Sequence, residues 1–209
     1  MDDSLTLARL ACIAALALPS GTGTADSVID PVAQRLEQAG MLEASFVQVD
    51  HWALTLEDET SAGTVLLAPP NLFLLDYSDP EGRCLGYDGF VLYSIEPDVR
   101  QVILHRAGEP GSFLSLLDDA REPDLIVSVE QSGDSTAAVL RGDFGEGVVE
   151  MTVGFTVADS LPFLFRTVDC NGNSTSYRFE SFSTFDEADH SLFALSVPEG
   201  YDLVDAGEM

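Results

Sequence analysis

The spacing of apolar residues changes along this chain. From Val32 through Leu36 to Ala39 they recur at helical intervals, and beyond Phe46 they recur at every second position. Asp30-Pro31 reads as an N-cap followed by proline at the first helical position, and Gly40 as a stop, which predicts one helix of about ten residues. Val65, Leu67, Phe73, Leu75 and Tyr77 then share one parity across a Pro69-Pro70 corner. Asp88-Gly89 marks a hairpin, after which Val91, Tyr93 and Ile95 alternate up to a turn at Pro97-Asp98, and Gln101 to His105 forms another short strand. Between Pro110 and Arg121 the period becomes helical again, through Phe113, Leu114, Leu116 and Leu117. From Leu125 onward short strands follow one another, with turns at Ser132-Gly133-Asp134, Gly142 to Gly147 and Asn171-Gly172.

This pattern predicts an α+β, mainly β fold: a single curved antiparallel sheet of about 11 strands with little helix. A sheet that long curls, so one face becomes concave and must be filled or covered. The same-parity positions Val65, Leu67, Phe73, Leu75, Tyr77, Val91, Tyr93, Ile95, Met151, Val153, Phe163, Phe165, Tyr177 and Phe179 are the candidates for that face, with Phe113, Leu116 and Leu117 on a short helical lid. Alternation alone does not say whether they line a cavity or pack a closed core.

The N-terminus changes the cellular picture. Leu10 to Leu18 is an apolar run too short to span a bilayer, broken by Pro19-Ser20-Gly21 and followed by the small residues Gly23-Thr24-Ala25. Residues 1–25 read as a secretory signal cleaved after Ala25, leaving one exported domain over 26–209, although Arg9 is the only basic residue there. Two cysteines then remain, Cys84 and Cys170; one pairing is possible in an oxidising compartment, and unpaired, partly buried thiols are the expectation.

The 209 residues carry 36 acids against 9 bases, a net charge of -27, and every base is arginine. Nucleic acid is excluded as a partner, because phosphate binding needs basic residues. Acids interleave with apolar residues, so they describe a charged surface of the kind that tolerates high salt, where self-repulsion is screened.

Several segments now resemble one family in order along the chain. Ala44-Ser45-Phe46-Val47-Gln48 after the helix, Gly63 to Leu67 with Pro70-Asn71-Leu72-Phe73, and Asp76 to Pro80 resemble the opening strands of LolA, the periplasmic carrier of outer-membrane lipoproteins. Asp88-Gly89 with Leu92-Tyr93, Pro97 and Gln101-Val102 resembles its next hairpin, and Ser112 to Leu117 its lid helix. Ser176-Tyr177-Arg178-Phe179 and Phe193 to Gly200 resemble its last strands. The resemblance implies a half-open β-barrel with a helical lid, whose apolar cavity takes the acyl chains of a lipoprotein. It also implies acylated lipoproteins as cargo, an inner-membrane ABC-type release complex that loads the carrier, an outer-membrane receptor that unloads it, a monomer, and no cofactor. A half-barrel that senses a lipid or protein signal in the cell envelope is the alternative the same fold allows. One departure stands out. Family members carry an arginine before the proline of the Pro70-Asn71-Leu72-Phe73 segment, and it latches the lid; Pro69 occupies that position here.

Catalytic and metal chemistry find little support. His51, His105 and His190 have no ligand spacing, and no Gly-x-Ser-x-Gly elbow is present. Asp169-Cys170-Asn171-Gly172-Asn173 reads as a hairpin turn, since it lacks the glycine position and closing glutamate of a calcium loop. Asp186 to His190 reads as a solvated turn, and Gly142 to Gly147 lacks the lysine of a phosphate loop.

Overall fold

The computed structural model describes residues 27–105, 121–145 and 147–205. The expected signal segment and lid helix, with Phe113, Leu116 and Leu117, lie outside the described residues. Helix α1 (Asp30–Gln38) comes first. Twelve strands follow: β1 (Met41–Trp52), β2 (Glu57–Ala68), β3 (Leu72–Asp79), β4 (Glu81–Tyr87), β5 (Leu92–Glu96), β6 (Gln101–His105), β7 (Ile126–Ser132), β8 (Ser135–Arg141), β9 (Val148–Thr156), β10 (Pro162–Asp169), β11 (Ser174–Phe185) and β12 (Asp202–Asp205). Short 3-10 turns occur at Pro123–Leu125 and His190–Phe193. No helix among the described residues is long and apolar enough to cross a membrane.

The helix begins one residue earlier than the sequence implies. Ile29 is the N-cap, Asp30 belongs to the first turn, and the Asp30 carboxylate reaches back to accept the Ser27 N–H at 2.7 Å. A carboxylate there suits both the free amides and the positive end of the helix dipole. Gly40 then permits a close approach that no other residue allows, since a Cβ at that position would sit 2.1 Å from the Asp186 carbonyl oxygen.

All twelve strands form one sheet in the order β12-β6-β5-β4-β3-β2-β1-β11-β10-β9-β8-β7. It is a meander folded once on itself: β1 is central because the last long strand, β11, returns to pair beside it, with Phe46 opposite Phe179 and Gln48 opposite Tyr177. The turns follow the sequence signals. Asp88 closes the β4–β5 hairpin by accepting the N–H groups of Phe90 and Val91, and Asp169 closes β10–β11 by accepting those of Asn171 and Asn173.

Two elements differ from the sequence reading. The segment from Phe193 to Gly200 is not a strand; it follows the 3-10 turn at His190–Phe193. The terminal strand is β12, and it pairs with β6 in parallel, Asp202 opposite Gln101, whereas the other pairings are antiparallel. Four residues in which two aspartates flank Leu203 and Val204 carry too weak a period to be read as a strand. At the other edge β7 is almost wholly exposed and carries Ser128, Glu130 and Gln131, a polar margin that discourages edge-to-edge pairing.

The faces are distinguished by what covers them. The main apolar cluster joins Leu85, Tyr87 and Leu92 of β4 and β5 to Ala138 and Leu140 of β8, strands far apart in sheet order. Residues so distant meet only if the sheet curls around them, so this is the inner face of an open, curved half-barrel. Ile29, Val32 and Leu36 of α1 belong to the same cluster and lie against that face. A smaller cluster of Met41, Ala68, Leu72 and Phe193 covers part of the outer face.

Candidate functional site

Ten of the strand positions proposed from sequence converge on the inner face. Val65 and Leu67 of β2, Phe73, Leu75 and Tyr77 of β3, Met151 and Val153 of β9, Phe165 of β10, and Tyr177 and Phe179 of β11 form one continuous apolar surface. Register explains it. Leu75 lies opposite Val65 and Leu85, Phe165 opposite Tyr177 and Val153, and directly paired side chains project from one face. The surface is rich in rings: Phe46 packs edge-on against Tyr77 with centroids 5.3 Å apart, and Tyr177 stacks on Phe179 at 6.2 Å.

Four proposed residues are not part of it. Tyr93 pairs with Gly86, next to Leu74, so Tyr93 and Ile95 point to the outer face, and Val91 precedes the strand on the same parity. The Tyr93 ring lies over Gly86, where a Cβ would sit 2.6 Å from it, and its hydroxyl donates to the Phe193 carbonyl at 3.0 Å. Tyr93 thus anchors the 3-10 turn that covers the outer face. Leu92 takes the inner position instead. Phe163 is displaced by an irregularity between Pro162 and Leu164, and its ring lies across Gly154, on the side of β9 opposite Val153.

The inner face also contains residues the alternation argument passed over. Leu42, Ala44 and Phe46 of β1 run down its centre, and Phe155 and Leu140 extend it. The signal for β1 is present, since Leu42, Ala44, Phe46 and Gln48 alternate, but the period-two reading begins only beyond Phe46 and leaves these residues out. Trp52 ends the central strand β1 and is half exposed.

The inner face changes character along its strands. On β1, Leu42, Ala44 and Phe46 give way to Gln48 and Asp50; on β2, Leu67, Val65 and Gly63 give way to Ser61 and Glu59, each pair in register. A hydrogen-bonded chain runs across this polar end. Tyr77, beside Tyr177, donates to Gln48 Oε1 at 2.7 Å. Gln48 Nε2 donates to Asp50 Oδ2 at 2.6 Å, and Thr175 donates to the other Asp50 oxygen at 2.6 Å. Burial raises the pKa of both tyrosine hydroxyls, so they stay neutral donors. The Arg83 guanidinium carbon lies 4.9 Å from the Tyr77 ring centre and flanks this end.

One side chain ties α1 to the segment that follows residues 106–120. Arg121 places Nε 3.0 Å from Asp30 Oδ1 and a terminal nitrogen 2.9 Å from Glu37 Oε1, gripping both ends of the helix. Pro69, where the resemblance implies a latch arginine, holds a cis peptide bond with Pro70 between β2 and β3.

Among the described residues no three His, Cys, Asp or Glu side chains gather as a metal site. Asp189 caps the 3-10 turn through the Ser191 N–H and hydroxyl, which accounts for the acidic stretch before His190. Cys84 is half-buried and Cys170 exposed, and both are free thiols.

Comparison with known proteins agrees with this geometry. The family model for the outer membrane lipoprotein carrier protein LolA matches residues 37–196. An outer-membrane lipoprotein carrier protein of Sodalis glossinidius is 26% identical over 179 residues, covering 84% of this chain and 87% of the relative. One from Chromohalobacter salexigens is 24% identical over 205 residues, covering 95% and 96%. Among solved structures, an uncharacterized conserved protein from Thermus thermophilus superposes with a TM-score of 0.54 at 16% identity, covering 85% of this chain and 96% of that one. With the family model spanning most of the described sheet and an apolar face curled beneath a single helix, the chain belongs to the LolA outer-membrane lipoprotein carrier family.

Proposed function

We propose that this chain is exported by cleavage after Ala25 and works in the periplasm as a carrier. It takes lipoproteins from an inner-membrane ABC-type release complex to an outer-membrane receptor, with the acyl chains held on the inner face of the sheet. The observation that carries this reading is the single apolar surface running from β5 through β3, β1 and β11 to β8 with α1 laid over it.

The surface is covered as it stands: Val65, Leu67, Phe73, Leu75, Phe165 and Phe179 are each 8% exposed or less. An acyl chain therefore has to replace covering groups, and magnitudes favour that exchange. Burial of Ile29, Val32 and Leu36 stabilises the covered state by roughly 1.5–3 kcal/mol each. A palmitoyl chain gains about 0.8 kcal/mol per CH2, on the order of 11 kcal/mol for the whole chain, and a lipoprotein carries more than one. Displacing α1 thus costs less than burying one chain returns. The carrier can hold its cargo firmly and still release it to a partner that binds more tightly. No bond is made or broken in this cycle, and the energy for loading comes from the release complex.

Mass spectrometry of the protein recovered from the periplasm under native conditions tests this. A one-to-one complex with an acylated protein or peptide is the expected result. Protein that carries only free glycerophospholipid, or nothing, would overturn the shuttle and favour a sensing half-barrel.

A further inference from the structure

We infer that Ser61 is a binding site for the neutral carbonyl of an acyl ester or amide, so that the inner face takes an amphiphile in one orientation, with its chain along Phe46 and Val65 and its carbonyl at the polar end. This rests on the acyl-carrier reading and adds to it where the head of the ligand lies.

Ser61 is 2% exposed, and among the described residues its Oγ is a buried side-chain atom that finds no hydrogen-bond partner. A buried hydroxyl without a partner is unfavourable, and such groups are uncommon unless something else satisfies them. Its neighbours do not satisfy it. Gln48, directly opposite on β1, turns its oxygen to Tyr77 and its nitrogen to Asp50, and Tyr77 donates to Gln48. The network forms without Ser61, and Ser61 is left with a free donor beside it. Serine at this register projects to the inner face, because Gln48 shares that face with Phe46, two residues earlier on the same strand.

The surroundings define the ligand group. Apolar residues lie to one side of Ser61 on its own and the nearby strands, which suits a hydrocarbon chain on that side: Val65 on β2, Phe46 on β1, Leu75 on β3 and, one strand further, Phe179 on β11. Asp50 and Glu59 face each other one step beyond, so a carboxylate or phosphate placed at Ser61 would meet two negative charges. A carbonyl oxygen is neutral, accepts from a hydroxyl, and sits at the boundary between chain and head in any acyl ester or amide.

Two probes separate this inference from the carrier reading. Monopalmitoylglycerol and 1-O-hexadecylglycerol have the same chain and head and differ in the carbonyl. Each is titrated as a competitor against a fluorescent fatty-acyl reporter. The wild-type protein should bind the ester about five-fold more tightly, the worth of one added hydrogen bond. Ser61→Ala should bind both with the affinity that the wild type shows for the ether, and should melt no lower than wild type. Equal binding of the two probes by wild type, or an ester preference that survives in Ser61→Ala, would overturn the site while leaving the acyl carrier standing. If neither probe displaces the reporter, the carrier reading fails and this site with it.

Discussion

Arg121 reaches 91 residues back along the chain to Asp30, its Nε 3.0 Å from the carboxylate that also receives the Ser27 amide. Together with the bond to Glu37 this makes Arg121 a clasp on α1. The exchange of α1 for an acyl chain, on which the proposed cycle depends, must open that clasp.

Arg121→Gln should therefore loosen the helix more than it destabilises the sheet. The arginine is about a third exposed, so water screens both ion pairs and the loss in global stability should be under about 1 kcal/mol. Association of a fluorescent acyl probe, followed by stopped flow, should speed up by several-fold. An unchanged rate would mean that Arg121 does not hold the cover closed.

Leu75 tests whether the inner face is a site or only a core. It is 8% exposed, between Val65 and Leu85. Leu75→Glu should abolish acyl-probe binding while circular dichroism still reports a folded sheet, since a carboxylate beneath a displaceable cover can recruit water but repels a hydrocarbon chain. Complete unfolding would identify a closed core.

Alkaline pH should destabilise the fold through one thiol and three phenols. Burial, reinforced by Asp76, pushes the Cys84 thiol up to about 12, and burial raises Tyr77, Tyr93 and Tyr177 above the ordinary tyrosine range. Folding favours the protonated forms, so their contribution is complete below the unfolded pKa values, near 9 for the thiol, and declines as pH rises through the folded ones. Urea midpoints should be level up to pH 8 and fall between pH 9 and 12. The same burial should make Cys84 slow to react with iodoacetamide at pH 8, so mass spectrometry should find the exposed Cys170 alkylated first.

The charge of -27 predicts a response to salt. Screening relieves repulsion among the surface carboxylates, and the few arginine ion pairs are too weak to offset that gain. The melting temperature should rise by several degrees between 0.1 and 2 M NaCl. A flat or falling curve would remove the high-salt reading of this surface.

Much of this molecule is written in local order. Period-two alternation and the Asp88-Gly89 and Asn171-Gly172 turns specify a mostly antiparallel meander, because hairpin chemistry and side-chain alternation act over a few residues. That is why Val65, Leu75, Val153 and Phe165 could be placed on one face before any coordinates. What no local rule carries is which parity faces inward after a turn. Val91, Tyr93 and Ile95 are as apolar as an inner set, yet they point outward, where the 3-10 turn at His190–Phe193 folds back onto Tyr93. Phe163 left the inner set through a one-residue irregularity that alternation cannot register. Ser61 looks like any serine in a polar strand, and Arg121 like any surface arginine. Only the curl of the sheet, which brings distant strands around one interior, leaves the first buried without a partner and sets the second against a helix at the far end of the chain.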